Sequence, residues 1–238
     1  MLLHLYGSFS SATKTINNMK AILIGATGLT GSLLLEKLLH DPVFTHIKLI
    51  SRRTAGIQSP RLEEVLIDFD DETRFRKEVT PADVLFCCIG TTQKKVKGDK
   101  TAYRKIDFDI PVWAAMFCAQ QNTGKYILVS SAGADAASKN FYLRLKGETE
   151  TAVLQQAIGT VYIMRPSILL GKRNEFRLLE SLGKMTMQFF SVLLIGSLSG
   201  YRAIQAKDVA GAMLAAATKT TTGRFICHYN EIKKMAGK

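Results

Sequence analysis

Apolar residues along this chain come in two alternating textures. Short runs at Ala21–Ile24 (AILI), His46–Ile50 (HIKLI), Glu64–Ile67, Asp83–Ile89 (DVLFCCI), Lys125–Val129 (KYILV) and Val161–Met164 read as strands, the first suited to burial on both faces of a parallel sheet and the fourth likewise buried. Between them apolar residues recur at helical spacing. Leu33, Leu34, Leu35, Leu38 and Leu39 predict a helix ending near His40, and Asp71–Val79 predicts a short polar one. A longer helix is predicted from Asp107 to Gln121, its apolar face carrying Val112, Ala115, Met116 and Ala119, with Pro111 marking a start or a kink. Asn140–Ile158 and Asp208–Ala217 read as helices, Gly223–Cys227 as a short last strand, and the Lys-rich C-terminal tail as solvated. The alternation, without repeat or linker, predicts one α/β domain over residues 19–238: a doubly wound parallel sheet with helices on both faces. Right-handed crossovers put the C-terminal ends of all strands on one edge, where ligands bind in such sheets.

The first strand runs into GATGLTG, in which Gly25, Gly28 and Gly31 are spaced three apart, and then into the first helix. Such a strand–turn–helix unit aims free backbone N–H groups and the positive end of the helix dipole at one spot, suited to a phosphate or pyrophosphate. Gly25 allows the sharp turn, Gly28 the approach of a ligand to the backbone, and Gly31 the close packing of helix on strand. The second strand ends in Ser51-Arg52-Arg53, with no acidic residue until Glu63. A carboxylate there would accept from a ribose 2′-hydroxyl, whereas arginines hold a 2′-phosphate through paired donors. NADP(H) is therefore expected over NAD(H). Tyr142 and Lys146 lie four apart on a predicted helix, hence on one face. A tyrosine is a weak acid–base group near neutrality, and a nearby ammonium favours its phenolate. Ser130 and Ser131 end the strand before this helix and offer a hydroxyl to a substrate carbonyl.

Composition narrows the classes. The chain has 238 residues, 47% hydrophobic and 22% charged, ordinary for a globular protein with one sizeable core. Its formal net charge of +12 raises the question of an anionic partner. The basic residues are dispersed, with modest clusters at Lys94–Lys97 and Lys233–Lys238, and no aromatic-interleaved basic stripe appears, so nucleic acid is not expected. Cys87, Cys88, Cys118 and Cys227 form no C-x-x-C motif and His4, His40, His46 and His228 lack ligand spacing. Reduced thiols, a cytoplasmic location and no metal are the expectation. Residues 1–18 are polar after a short apolar start, too short for a secretion signal. They read as a disordered or non-native extension with Met19 as the natural start, or else as an extension packed on the domain. The longest apolar run, Phe189–Ile195, falls far below the ~20 residues of a membrane span.

GATGLTG, the strand-end SRR, CCIGTT, VSSAGAD, FYLRLKGETE and MRPSILLG recur in similar form and order in one group. The chain resembles the Tat-interacting-protein-like NADPH-binding oxidoreductases, an atypical branch of the extended and atypical short-chain dehydrogenases/reductases, closely over 19–171 and more loosely beyond. The resemblance implies a Rossmann-type domain with a Ser-Tyr-Lys set. Tyr142 would be the proton donor, Lys146 would bind the nicotinamide ribose and favour the tyrosinate, and Ser130 or Ser131, with Ser131 preferred, would orient the carbonyl. The cofactor set it implies runs through the turn (Gly25, Thr27, Gly28, Leu29, Thr30, Gly31) to Ser51, Arg52 and Arg53. Asp68 and Phe69 would sit by the adenine, Gly90 and Thr91 on its ribose side, and Pro166, Ile168 and Leu169 beside the nicotinamide.

The region after Gly171 lacks the long substrate domain of relatives that act on nucleotide sugars. Phe176, Leu178, Leu179, Leu182, Met185, Met187, Phe189 and Phe190 there predict an apolar wall at the nicotinamide end, a core helix or a helix packed on another subunit. The leading expectation is an NADPH-dependent reductase of a small carbonyl or quinone-like substrate, as monomer or homodimer. The alternative is a non-catalytic NADPH-binding redox sensor that acts through protein partners.

Overall fold

The computed structural model describes residues 18–171 and 202–238. Its strands are β1 (Met19–Ile24), β2 (Phe44–Ser51), β3 (Leu62–Leu66), β4 (Val84–Cys87), β5 (Lys125–Val129), β6 (Thr160–Met164), β7 (Leu169–Leu170), β8 (Ile204–Gln205) and β9 (Gly223–Cys227). Seven of them form a parallel main sheet in the order β3-β2-β1-β4-β5-β6-β9. The short β7 and β8 pair with each other apart from it. The chain winds outward from β1 in one direction and then, from β4, in the other, so this is a doubly wound Rossmann-type sheet whose crevice opens between β1 and β4.

Side chains alternate across a strand, and the core divides accordingly. Ala21 and Leu23 of β1 and Val84 and Phe86 of β4 pack towards α1 (Leu29–His40), α6 (Ala206–Thr218) and α7 (Tyr229–Met235). Ile22, Ile24, Leu85 and Cys87 face α2 (Glu72–Glu78), α4 (Ile110–Gln120) and α5 (Phe141–Leu154). There Phe75 stands edge-on to both Phe69 and Phe117, with ring centroids 4.9 and 5.3 Å apart. Both faces being covered explains why β1, β4 and β6 read as continuous apolar runs, while the edge strands β3 and β9 are only partly buried.

Two expectations need correction. The helix predicted from Asp107 begins earlier, with α3 (Lys100–Arg104), because Asp99 caps it by accepting from the Thr101 and Ala102 amides. A π-helical turn, Lys105–Asp109, joins α3 to α4, with the Ile110 amide donating to the Lys105 carbonyl. Pro111 follows directly and has no N–H to offer the Asp107 carbonyl; the Thr149 hydroxyl donates to that carbonyl instead, at 2.9 Å. The C-terminal tail, read as solvated, is largely helix α7. His228 and Glu231 form its capping box, Ile232 is buried, and Lys233 pairs with Asp208 of α6 at 2.8 Å. Residues 1–17 and the apolar stretch Phe176–Phe190 lie outside the described residues.

Helix α5 sits unusually close to the loop before it. A Cβ on Gly147 would lie 2.1 Å from the Ala136 amide nitrogen and 2.2 Å from the Asp135 carbonyl carbon. Gly147→Ala is therefore expected to destabilise the fold by about 3 kcal/mol, the upper end of overpacking penalties. Denaturant unfolding checks this, and an unchanged midpoint would contradict the packing.

Candidate active site

The site begins at the C-terminal end of β1. Gly25 has φ +87°, and a Cβ there would meet the Cys88 carbonyl carbon at 2.7 Å, so the turn lies directly on the chain leaving β4. A Cβ on Gly31 would fall 2.1 Å from the Gly25 carbonyl oxygen, which seats the start of α1 on the same turn. The Gly28 amide donates to Gly25 at 3.0 Å. Gly28 caps α1 without a side-chain bond, and the first turn holds no acid. The leading amides of α1 thus keep their partial positive charge for a ligand.

Gly25, Thr27, Gly28, Ser51, Arg52, Arg53, Phe69 and Gly90 converge on one cavity of about 100 Å³, completed by Cys88, Ile89 and Lys95. Arg52 also borders an open depression of about 510 Å³ lined by Leu66, Ile67, Asp68 and Asp70. The two aspartates there are partly engaged: Asp68 accepts from the Asp70 amide at 3.0 Å, and Asp70 pairs with Lys105. Among the described residues no carboxylate lines the smaller cavity. Backbone without side chains, free amides and two guanidinium groups suit an anionic, phosphate-bearing ligand. Thr30 is buried within the first turn of α1, and Leu29 packs towards Gly171.

The other half of the site is built on α5. Asn140 caps this helix by accepting from the Tyr142 and Leu143 amides, which sets Tyr142 in its first turn. Lys146, one turn on, is buried, and its ammonium lies 2.8 Å from Asp107 Oδ1. Burial alone would push this ammonium down, but the facing Asp107 carboxylate outweighs it, and the lysine is held above its ordinary value and charged. Tyr142 is near enough to add to that effect. Asp107, only 1% exposed, also accepts the Thr91 amide at 2.8 Å through Oδ2. One carboxylate therefore ties the α5 lysine to the loop after β4. Tyr103 makes a second tie. Its ring stands edge-on to Tyr142 (centroids 6.3 Å apart) and its hydroxyl donates to the Thr91 carbonyl at 3.1 Å.

The two serines differ in their surroundings. Ser130 is buried, and its hydroxyl donates to Glu150, a buried carboxylate that Arg165 also holds through both oxygens. Ser131 is part-exposed, and among the described residues its hydroxyl reaches only the neighbouring Ala132 carbonyl, at 3.2 Å. The Ala132 amide donates to the Pro166 carbonyl at 2.8 Å, which staples the serine loop to the end of β6. Ile168 follows, accepting from the Ile204 amide, and Leu169 begins β7.

Sequence reasoning missed Asp107, Tyr103, Lys95 and the Glu150–Arg165 pair. Asp107 left a partial signal, an acid just ahead of Pro111 at the head of an otherwise apolar helix, but nothing local names its partner.

A family model described as NAD(P)H-binding matches residues 25–220. Protein HTATIP2 of Rattus norvegicus is 32% identical over 202 residues, which cover 84% of this chain and 81% of that protein. A protein of Aspergillus niger called fmp52, mitochondrial, is 32% identical over 225 residues, 91% of this chain and 94% of that one. Among solved structures, the enzyme WbmH of Bordetella bronchiseptica in complex with NAD+ superposes with a TM-score of 0.68 at 15% identity, covering 90% of this chain and 76% of that one. A UDP-glucose 4-epimerase of Thermotoga maritima gives 0.64 at 14%, covering 92% and 81%. At such identities the solved structures show the shared fold.

Proposed function

The chain belongs to the NAD(P)H-binding family, in the atypical branch of the short-chain dehydrogenases/reductases, and from that premise we propose an NADPH-dependent reductase of a small carbonyl or quinone-like compound. The observation that carries this reading is the charged, buried Lys146 one helical turn from Tyr142, at the sheet edge that also bears the amide-lined cavity with Arg52 and Arg53. The leading amides of α1 would hold the diphosphate, the two arginines the 2′-phosphate, and Lys146 the nicotinamide ribose. A reduced nicotinamide bound there would supply the hydride for the substrate carbon.

The protein's own residues would manage the oxygen. Ser131, with its hydroxyl free of the Glu150 network, donates a hydrogen bond to it, and Tyr142 Oη delivers the proton that completes the alcohol. The Lys146 ammonium stabilises the tyrosinate left behind, which solvent reprotonates. No helix among the described residues is long and apolar enough to cross a membrane. The four thiols are free, as suits a reducing compartment such as the cytoplasm.

Calorimetric titration tests the cofactor reading. Arg52→Ala is expected to weaken NADPH roughly tenfold while leaving NADH within about twofold, since only the phosphate loses a paired donor. Equal affinity of the wild-type protein for the two dinucleotides would defeat the assignment.

A further inference from the structure

The loop after β4 carries a cation that the glycine turn and the strand-end arginines do not account for. Lys95 lines the cavity that Arg52 and Arg53 enter, and among the described residues no carboxylate does. Its ammonium forms no ion pair among the described residues. The backbone that presents it is tightly turned. The Lys95 amide donates to the Thr92 carbonyl at 2.9 Å, and the Gly98 amide returns to Gln93 at 3.0 Å. Lys97 and Gly98 both take positive φ, +50° and +81°, to close the turn. The Asp99 amide then donates to Val96 at 2.9 Å, and the Asp99 side chain caps α3. The loop is thus anchored at one end by β4 and at the other by a capped helix, with Lys95 on the cavity side.

We propose that Lys95 is a specificity-determining residue, a third cation on the 2′-phosphate of NADPH, closing over it from the β4 side while Arg52 and Arg53 hold it from the β2 side. This rests on the NADPH reading above. The diphosphate already meets neutral amide donors at the head of α1, whereas a phosphate monoester offers three unesterified acceptor oxygens and nearly two charges, so a donor on the β4 side can engage it beside the two guanidinium groups. A lysine suits the third position because its ammonium is a compact charge on a flexible stem, able to approach a group already engaged by planar donors. Being exposed, this contact weakens with added salt.

The test titrates the full chain with NADPH, NADH, 2′,5′-ADP and 5′-AMP, for wild type, Lys95→Ala and Lys97→Ala. Lys97 shares the loop but does not line the cavity. Lys95→Ala is expected to weaken NADPH and 2′,5′-ADP about tenfold, and to leave NADH and 5′-AMP within about twofold. Lys97→Ala should match wild type. An equal loss for NADPH and NADH would move Lys95 to the diphosphate and overturn the proposal, as would no loss for any ligand. A wild-type protein that favours NADPH while Lys95→Ala changes nothing overturns this proposal alone. A wild type with no such preference overturns the cofactor reading and this one with it.

Discussion

Replacing Tyr142 by Phe is expected to lower turnover of a reducible carbonyl by about 10²- to 10⁴-fold, the usual contribution of a positioned proton donor. NADPH affinity should stay within about twofold, because the phenol takes no part in the cavity proposed for the phosphates. The ring itself survives the substitution and keeps its edge-on contact with Tyr103, so the loss would belong to the missing hydroxyl and not to repacking. Single-turnover oxidation of bound NADPH, followed at the nicotinamide absorbance across a panel of aldehydes, ketones and quinones, separates the two quantities. Full turnover in the variant would refute Tyr142 as donor. A wild-type protein that binds NADPH, reduces nothing on the panel and captures a protein partner only when loaded would favour the redox-sensor alternative.

The second large effect concerns Asp107. Asp107→Ala is expected to destabilise the fold by about 3–5 kcal/mol, since removing one partner of a buried ion pair strands the other. It would leave the Lys146 ammonium unpaired and the Thr91 amide without its acceptor. Asp107→Asn, which keeps an acceptor for Thr91, should lose less. The two proteins should also differ with pH. In the wild type the raised Lys146 contributes stability that is fully present below the ordinary lysine value of about 10.4 and is lost only as pH rises through the higher folded value. Its contribution is therefore flat through the neutral range. In Asp107→Ala burial loses its main opponent, outweighs the smaller effects of Tyr142 and Cys87 and pushes the lysine down, so the folded state disfavours the bound proton. Stability of the variant should then climb as pH rises through that lowered value towards about 10.4. Urea midpoints measured from neutral to alkaline pH check both signs. A variant whose midpoint tracks the wild type would show that the pair does not set the charge.

What can be read from the sequence is what neighbours in the chain decide. The GATGLTG turn, the strand-end arginines and Gly223–Cys227 are local patterns, and β9 occupies the expected residues. The start of α3 is a local signal too, but Asp99 sits in a run of lysines that reads as loop. The role of Asp107 lies beyond such patterns because its meaning comes from Lys146 and Thr91, brought to it by a helix and a loop distant in sequence. The choice between Ser130 and Ser131 has the same character. Adjacent in the chain, they are told apart only by Glu150 and Arg165, which arrive from α5 and the end of β6. The C-terminal helix escapes a reading by composition because its lysines outweigh Ile232, while burial is decided by the face of α6 opposite.

The π-helical turn holds one residue more than the α-helical path it interrupts, a local slack in chain length. An α-helix advances about 100° per residue, so deleting a position within α4 would swing every residue beyond it round by that angle and take Phe117 out of the sheet-facing core. Deleting one within Lys105–Asp109 would instead use up the extra residue of the wider turn and let α3 run into α4 as regular helix, the loss falling on the Asp107–Lys146 pair. Single-residue deletions scanned across 100–120 should therefore leave the fold most intact inside this turn and disrupt it most within α4.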